Sequence, residues 1–533
     1  MTQGNKDTAK RAGLLRSAAV MSAITVGSRV LGLVREQVRG GLLGTSMASD
    51  AFGLAFQIPN LLRRMVAEGA MSSAFIPVLS EVDENEGREA AFTFATRYFN
   101  LVLLALTIIS ALGMVFASSV VSLFVLLAEV GGHEVGMKES ALAASLTRWM
   151  FPYIGLVALA AVAQGILNTY RVFWISAASS IALNLGIIGA ALALAGSMDE
   201  PAYALAIGVL VGGFLQFAVQ VPYVFKLGYR WRPDWKVGPG IKKAMRLLVP
   251  TLFGAGVYQV NVMVSQAVAL GLGEGAVSSL QFSQRLLELA LGVFAVAIST
   301  VVLPSLSRDA AAGRLDEVRS TVLYAVRLCT FVCLPMLVGL FLLRAETTSL
   351  LFERGAFDRE STALTAYAIA FHVLGLLHIA LVRIFVPVFY AFKDTRTPVL
   401  VGVASVIVNI VLCYVLAEPF AHGGIALANT ASAFLHALLL TWLLSRHLGR
   451  IEDDVTATSL LRSGLATGAM GTAVWFLAPR IFPASATGAA LLPGYVALLG
   501  TAVVVFVATA WVLRHPELHE VAGILRRKLR RKS

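Results

Sequence analysis

Charge is scarce in this chain: 14% of its 533 residues are Asp, Glu, Lys or Arg, against about 25% in an ordinary soluble domain. With 57% of the residues hydrophobic, that scarcity excludes a soluble enzyme. The apolar surplus runs the whole length, which marks a polytopic membrane protein. Cysteine is scarce as well. Cys329, Cys333 and Cys413 sit in apolar runs without Cys-x-x-Cys spacing, so they form no disulfide framework and read as packing residues. The sequence has no GxxxxGK[ST] loop, no HExxH and no large soluble domain. ATP hydrolysis and zinc hydrolysis are therefore not encoded in an obvious form, and any energy-coupled process draws on a gradient.

What is present is a series of apolar stretches of about twenty residues, the length a helix needs to cross about 30 Å of hydrocarbon. Fourteen are read, at 13–34, 48–78, 98–127, 141–166, 174–197, 201–225, 247–271, 277–303, 322–343, 362–391, 398–417, 423–445, 463–479 and 489–513. They are continuous rather than alternating, so they are helices and not barrel strands. The polar start at 1–12 followed by an apolar run has the look of a signal peptide, but the run leads into a charged motif and reads as a first, retained span.

Fourteen spans put both termini on one side. With a cytoplasmic N-terminus, most of the 43 Lys and Arg fall in the inner segments, and the loop 226–246 alone holds seven. That is the positive-inside pattern, and it accounts for the net charge of +12 without nucleic acid. The basic tail at 526–532 reads as a lipid-headgroup anchor.

An internal repeat divides the chain. Residues 151–170 align with 371–390 at an offset of 220, matching Phe151 with Phe371, Gly155 with Gly375 and Tyr170 with Tyr390. The stretch FIPVLS (75–80) pairs with VLPSLS (302–307) in the same ordinal helices of each half. This predicts a cytoplasmic segment 1–12, an N-lobe 13–225 of six helices, a basic cytoplasmic linker 226–246, a C-lobe 247–445 of six more, helices 13 and 14 within 446–513, and a basic cytoplasmic tail 514–533.

Among the arginines within the spans, Arg29, Arg63, Arg64, Arg285 and Arg383 carry the argument. At the bilayer centre each costs about 2.5 to 3.5 kcal/mol on an insertion scale, so such residues face a wet cavity, pair with acids or snorkel. Arg29 and Glu36, seven apart, fall on one helix face, with Arg35 at the end of the span. Arg64 and Glu68 are spaced i, i+4 and positioned to pair, which leaves Arg63 without an obvious local partner. Arg285 and Glu288 are spaced i, i+3. Guanidiniums in excess of carboxylates suit an anion, above all a diphosphate that accepts bidentate hydrogen bonds. A structural network locking two lobes is the competing reading. His372 and His378 read as hydrogen-bonded interior residues, and His515 with His519 as a structural or solvated pair without a third metal ligand.

At SRVLGLVRE (28–36), DAF (50–52), PNLLRRMVAEGAMSSAFIPV (59–78), QRLLEL (284–289) with LPSLS (303–307), FPYI with GILNTY, and TRTPV (395–399), the sequence resembles the MurJ (MviN) family of lipid II flippases, within the multidrug and oligosaccharidyl-lipid exporter superfamily. The resemblance spans 13–515. It implies an all-α polytopic fold of fourteen helices, two six-helix lobes in a V around a central cationic cavity, and two C-terminal helices forming a groove. It also implies a non-enzymatic transporter in the bacterial cytoplasmic membrane. Its substrate would be lipid II, undecaprenyl-diphosphate bearing a disaccharide-pentapeptide, carried across by alternating access. By motif position Arg29, Arg35, Arg63 and Arg285 are then substrate-binding, and Glu36, Asp50, Arg64, Glu68, Glu288 and Arg383 are supporting or gating charges. Expected partners are lipid II and membrane lipids, with cell-wall synthesis proteins left open and nucleic acid excluded. No cofactor or metal is expected. Helix 7, around Tyr258, Gln259, Asn261, Ser265 and Gln266, lacks a carboxylate, so a sodium site is in doubt, and dependence on membrane potential or a monovalent cation stays open. A flippase for another polyprenyl-diphosphate oligosaccharide, or a drug exporter of the same fold, is the alternative.

Overall fold

A computed structural model describes residues 24, 26–65, 74–301, 306, 308–310, 312–449, 453–483 and 486–520. They are helical almost throughout. One isolated bridge, Arg354 to Phe357, is the sole β pairing among the described residues. The helices are α1 (26–43), α2 (Met47–Arg63), α3 (Ile76–Glu86), α4 (Arg88–Val115), α5 (Ala117–Glu129), α6 (Met137–Met150), α7 (Tyr153–Thr169), α8 (Phe173–Leu194), α9 (Ala202–Ala218), α10 (Val221–Lys226), α11 (Pro239–Leu270) and α12 (Ala276–Val301). They continue as α13 (Leu315–Leu342), α14 (Arg344–Phe352), α15 (Arg359–His372), α16 (Leu376–Ala391), α17 (Arg396–Leu448), α18 (Asp454–Ile481) and α19 (Leu492–Val512).

Among the described residues, eight helices are long and apolar enough to cross a membrane, so the architecture is that of an all-helical, multi-pass membrane protein. Eight is fewer than the fourteen spans expected. Part of the difference is visible in α17. Its 53 residues count once, yet Ala421 has φ 45° and ψ −136°, which no helix tolerates. The chain turns there, just after Pro419, and a side chain at Gly424 would overlap the Leu416 carbonyl. The Asn409 amide donates to Asn429 Oδ1 at 3.1 Å across the turn. The two apolar runs 398–417 and 423–445 are thus two arms of a hairpin.

The chain divides into two compact units, residues 1–278 and 279–533. Helix α11, which hydropathy assigns to the C-lobe, counts with the first unit and packs on α5. The 151–170 and 371–390 copies have the same local form, a short helix (α6 or α15) running through a break into a longer one (α7 or α16). Two residues past the end of each longer helix stands a basic residue in the left-handed region, Arg171 at φ 63° and Lys393 at φ 61°. Of the second repeat pair, residues 302–305 and 307 lie outside the described residues.

Small residues set a close helix contact in the first unit. Where α8 meets α9, a methyl built on Gly186 would overlap the backbone of Gly212. In lipid, where apolar burial drives helices together only weakly, such backbone approach supplies the packing. Gly186→Ala is expected to lower stability by about 1–3 kcal/mol through overpacking. Gly189→Ala, at a site with open space around it, is expected to cause no loss. Thermal unfolding of the detergent-solubilised variants checks the difference.

Candidate functional site

In the first unit the site is built on two helices with matched spacing. Arg35 and Arg39 stand i, i+4 on α1, and Phe52 and Phe56 stand i, i+4 on α2 with their rings stacked 5.9 Å apart. The Arg39 guanidinium lies 5.4 Å from the Phe52 ring and that of Arg35 lies 6.0 Å from Phe56. Each ring face thus offers its arginine a cation–π contact. Between them Glu36 serves both guanidiniums. Its Oε1 accepts from Arg35 Nη2 at 2.5 Å, and its Oε2 lies 3.5 Å from Arg39 Nη1. Arg35 Nη1 also donates to Asn184 Oδ1 on α8 at 3.2 Å, and Arg39 Nη2 to the Ser49 carbonyl at 3.0 Å.

Arg29, on the same helix face as Glu36, takes no part in this arrangement. Seven residues separate the two by about 10 Å along a helix, whereas neighbours at i−1 and i+3 reach Glu36 directly. Arg29 is exposed on the protein surface and has no partner among the described residues. Arg39, buried to 6% exposure, was assigned to an outer loop by hydropathy. The signal that could have found it is the paired i, i+4 spacing of arginines and phenylalanines.

Asp50 is fully buried in the first turn of α2. It accepts backbone N–H bonds from Gly275 and Ser278, each at 2.7 Å. The carboxylate therefore holds the free N–H groups at the start of α12, where the helix dipole favours a negative charge. Arg63, expected to lack a local partner, donates from Nε to Asn60 Oδ1 at 2.8 Å one turn back. Arg64 continues the backbone at the end of α2, its N–H reaching the Asn60 and Leu61 carbonyls. Glu68 lies outside the described residues, and with it the expected Arg64–Glu68 pair.

In the second unit, Arg285 Nη1 meets Glu288 Oε2 at 3.1 Å, as the i, i+3 spacing predicts. Its Nε is buried and has no hydrogen-bond partner. Arg383 is exposed, with no partner among the described residues. His372 is buried, and its Nδ1 lies 2.8 Å from Ser283 Oγ. His378 Nδ1 lies 3.3 Å from the Leu374 carbonyl, and its ring meets Phe434 edge-on. His372 is thus the interior residue expected, whereas His378 is half-buried, hydrogen-bonded one turn back at the protein surface.

The basic segment 226–246 is fastened to the first unit. Trp231 Nε1 donates to Asn100 Oδ1 at 2.8 Å, the Asn100 amide donates to the Arg232 and Asp234 carbonyls, and Arg97 Nε reaches Asp234 Oδ2 at 2.8 Å. The Lys236 N–H, together with Arg97, holds the Asp234 carboxyl below its usual range. Phe99, Phe217, Tyr229 and Trp231 help to line an apolar cavity of about 270 Å³ beside this segment. With no charged group in its lining, it does not suit a diphosphate.

A family model described as Lipid II flippase MurJ matches residues 41–495. A probable lipid II flippase MurJ of Vibrio cholerae is 37% identical over 432 residues, covering 80% of this chain and 82% of that protein. The lipid II flippase MurJ of Burkholderia cenocepacia is 35% identical, covering 80% and 83%. A solved structure of lipid II flippase MurJ in an inward closed conformation superposes with a TM-score of 0.78 at 25% identity, over 93% of this chain and 98% of that one. A multidrug resistance MATE family transporter, in an inward-facing conformation, shares the fold at a TM-score of 0.66 and 13% identity, covering 80% of this chain and 98% of its own. With most of its length matched by that family model and by relatives above 30% identity, the chain belongs to the lipid II flippase MurJ family.

Proposed function

We propose that this chain moves lipid II from the inner to the outer leaflet of the bacterial cytoplasmic membrane by alternating access, with no covalent chemistry. In this reading fourteen spans form two six-helix lobes and a C-terminal pair, and both termini are cytoplasmic. Arg29, Arg35, Arg63 and Arg285 bind the diphosphate, while the polyprenyl chain stays in lipid. The observation that carries the reading is the Arg285 side chain, whose buried Nε has no acceptor and whose other contact is a single bond to Glu288. A buried donor without a partner costs about 1–3 kcal/mol, more when charged. Diphosphate oxygens supply the missing acceptor in the geometry a guanidinium fork prefers.

The ligand drives the change of state only if it binds the two states unequally. A diphosphate bound more tightly by these arginines in one state than in the other meets that condition. The membrane potential, worth about 2.3 kcal/mol per charge per 100 mV, resets the emptied, net positive protein toward the negative inner face. The full-length protein reconstituted into liposomes with lipid II tests the assignment. Lipid II is expected to become accessible to an impermeant reagent on the far leaflet, whereas a lipid-linked oligosaccharide with a different sugar moves more slowly. Translocation no faster than in protein-free liposomes would refute it.

A further inference from the structure

Glu139 stands apart from every contact described above. It lies in the first turn of α6, is 7% exposed, and has its Oε1 buried without a hydrogen-bond partner. Helix α6 packs on α2, α4, α5 and α9. These elements and their adjoining turns bring Asp50 and Arg63 on α2, Arg88, Glu89 and Arg97 on α4, Glu129 at the end of α5 with His133 and Glu134 after it, Tyr203 on α9 with Asp199 and Glu200 in the turn before it, and Glu274 in the turn before α12; Lys138 and Arg148 lie on α6 itself. The two whose charge acts on Glu139 are both acids, Asp50 and Glu274. Arg148 is turned to the Met114 carbonyl, which its Nε reaches at 3.0 Å. The Tyr203 hydroxyl is engaged with Ser145 at 2.7 Å.

We propose that Glu139 is a proton-binding site that controls the hold of Asp50 on the start of α12. The magnitudes favour a bound proton. A carboxylate in the first helical turn gains about 0.3–1 kcal/mol from the dipole. An unpaired ion in a buried site costs several kcal/mol, and a neighbouring carboxylate adds repulsion. A metal or alkali cation is the poorer occupant, because hard cations want about six or more oxygens, and no group of three or more His, Cys, Asp or Glu among the described residues is arranged to hold a metal ion. A proton needs one.

With Glu139 neutral, Asp50 keeps its negative charge and its two N–H donors. When the O–H bond of Glu139 breaks, its electron pair stays on the carboxylate and the proton passes to water at the exposed turn before α6, where Gly132, Glu134 and Gly136 are open. The new charge repels Asp50 and loosens its grip on Gly275 and Ser278. Loss of the proton then favours release of α12, the helix that carries Arg285. The proton site stands independently of the transported molecule, but its effect on transport rests on the flippase reading.

The test uses the full-length protein in nanodiscs and in lipid II liposomes, as wild type and as Glu139→Gln, which keeps the shape of the neutral acid. Difference infrared spectra between mildly acidic and alkaline buffer are expected to show a protonated-carboxyl band in the wild type that is missing in the variant. Amide protection at Gly275 and Ser278, corrected for intrinsic exchange, is expected to fall about tenfold on alkalinisation in the wild type, equivalent to about 1.4 kcal/mol, and to hold steady in the variant. Lipid II translocation is expected to depend on pH in the wild type and much less in the variant. Identical bands and protection profiles in both proteins, or a band that follows sodium rather than pH, would overturn the proposal. Wild-type liposomes that move no lipid II at any pH would defeat the flippase reading, and the spectral and exchange results would still decide the proton site.

Discussion

Changing Arg285 to alanine is expected to slow lipid II translocation about a hundredfold, with the protein still folded and present at its normal level. The side chain makes one ion pair with an exposed-side neighbour, Glu288, whose side chain is 42% exposed. Losing that pair costs little, because an exposed pair contributes about 0–1 kcal/mol. Losing a charge-assisted contact to a desolvated diphosphate costs about 2–5 kcal/mol, and about 2.7 kcal/mol corresponds to the hundredfold effect.

Two companion variants separate ligand binding from packing. Arg285→Lys keeps the charge but not the planar fork, so partial recovery is expected. Glu288→Ala removes the neighbour and leaves the guanidinium free for the ligand, so a far smaller loss is expected than for Arg285→Ala. The measurement is the initial rate of lipid II translocation in liposomes, normalised to folded protein. A wild-type rate for Arg285→Ala would remove Arg285 from the binding role.

Hydropathy made the membrane architecture legible because apolar length is a local property of the chain. The α17 hairpin was readable as two runs broken near Pro419. Charge partners were readable where helical spacing alone decides them, as for Arg285 with Glu288. They were not readable where the partner comes from another helix. Asp50 sits in a motif beside arginines in sequence, yet its carboxylate binds two backbone N–H groups more than 220 residues away. Arg35 finds Asn184 on α8 in the same way. Loop assignment failed for Arg39, which falls between the apolar runs 13–34 and 48–78. It lies near the end of α1 and carries its charge inward because Glu36 and the Ser49 carbonyl wait there, and a window average of hydropathy registers the charge and not the partner.

Arg327 leads to the largest expected effect on stability. It lies on α13, and its Nε donates to Glu517 Oε1 at 2.7 Å, beyond the end of α19. Glu517 is 2% exposed and also accepts from Ser459 Oγ on α18 at 2.8 Å, while His515 Nδ1 lies 3.0 Å from its Oε2. His515 Nε2 in turn lies 2.8 Å from Ser463 Oγ. The pair His515 and His519, read in sequence as structural or solvated, thus contributes its first member to a buried polar cluster that joins α13, α18 and the segment after α19. Burial alone would raise the Glu517 carboxyl. The nearby His515 ring and the hydrogen bonds from Ser459 and Arg327 outweigh it and bring the group down to about 2.

Arg327→Ala strips the cation from this cluster and leaves Glu517 as a buried charge held by neutral donors, a change that costs about 3–5 kcal/mol. The expected result is a large fall in thermal stability, with hydrogen exchange rising first in α18, where Ser459 and Ser463 lose their anchored partner. The pH dependence has a definite sign. Because Glu517 is depressed in the folded protein, its contribution is fully present above the unfolded value of about 4.3. It is lost as pH falls from there toward about 2, the range in which the folded carboxylate takes up its proton. The wild type should therefore lose stability across that window, and Glu517→Gln should start lower and show a flatter profile. Equal acid sensitivity in wild type and Glu517→Gln would place the titrating group elsewhere. Unchanged exchange in α18 of Arg327→Ala would mean that apolar packing of α18 against α19, centred on Met470, Val474, Leu498 and Phe506, holds the C-terminal helices without the ion pair.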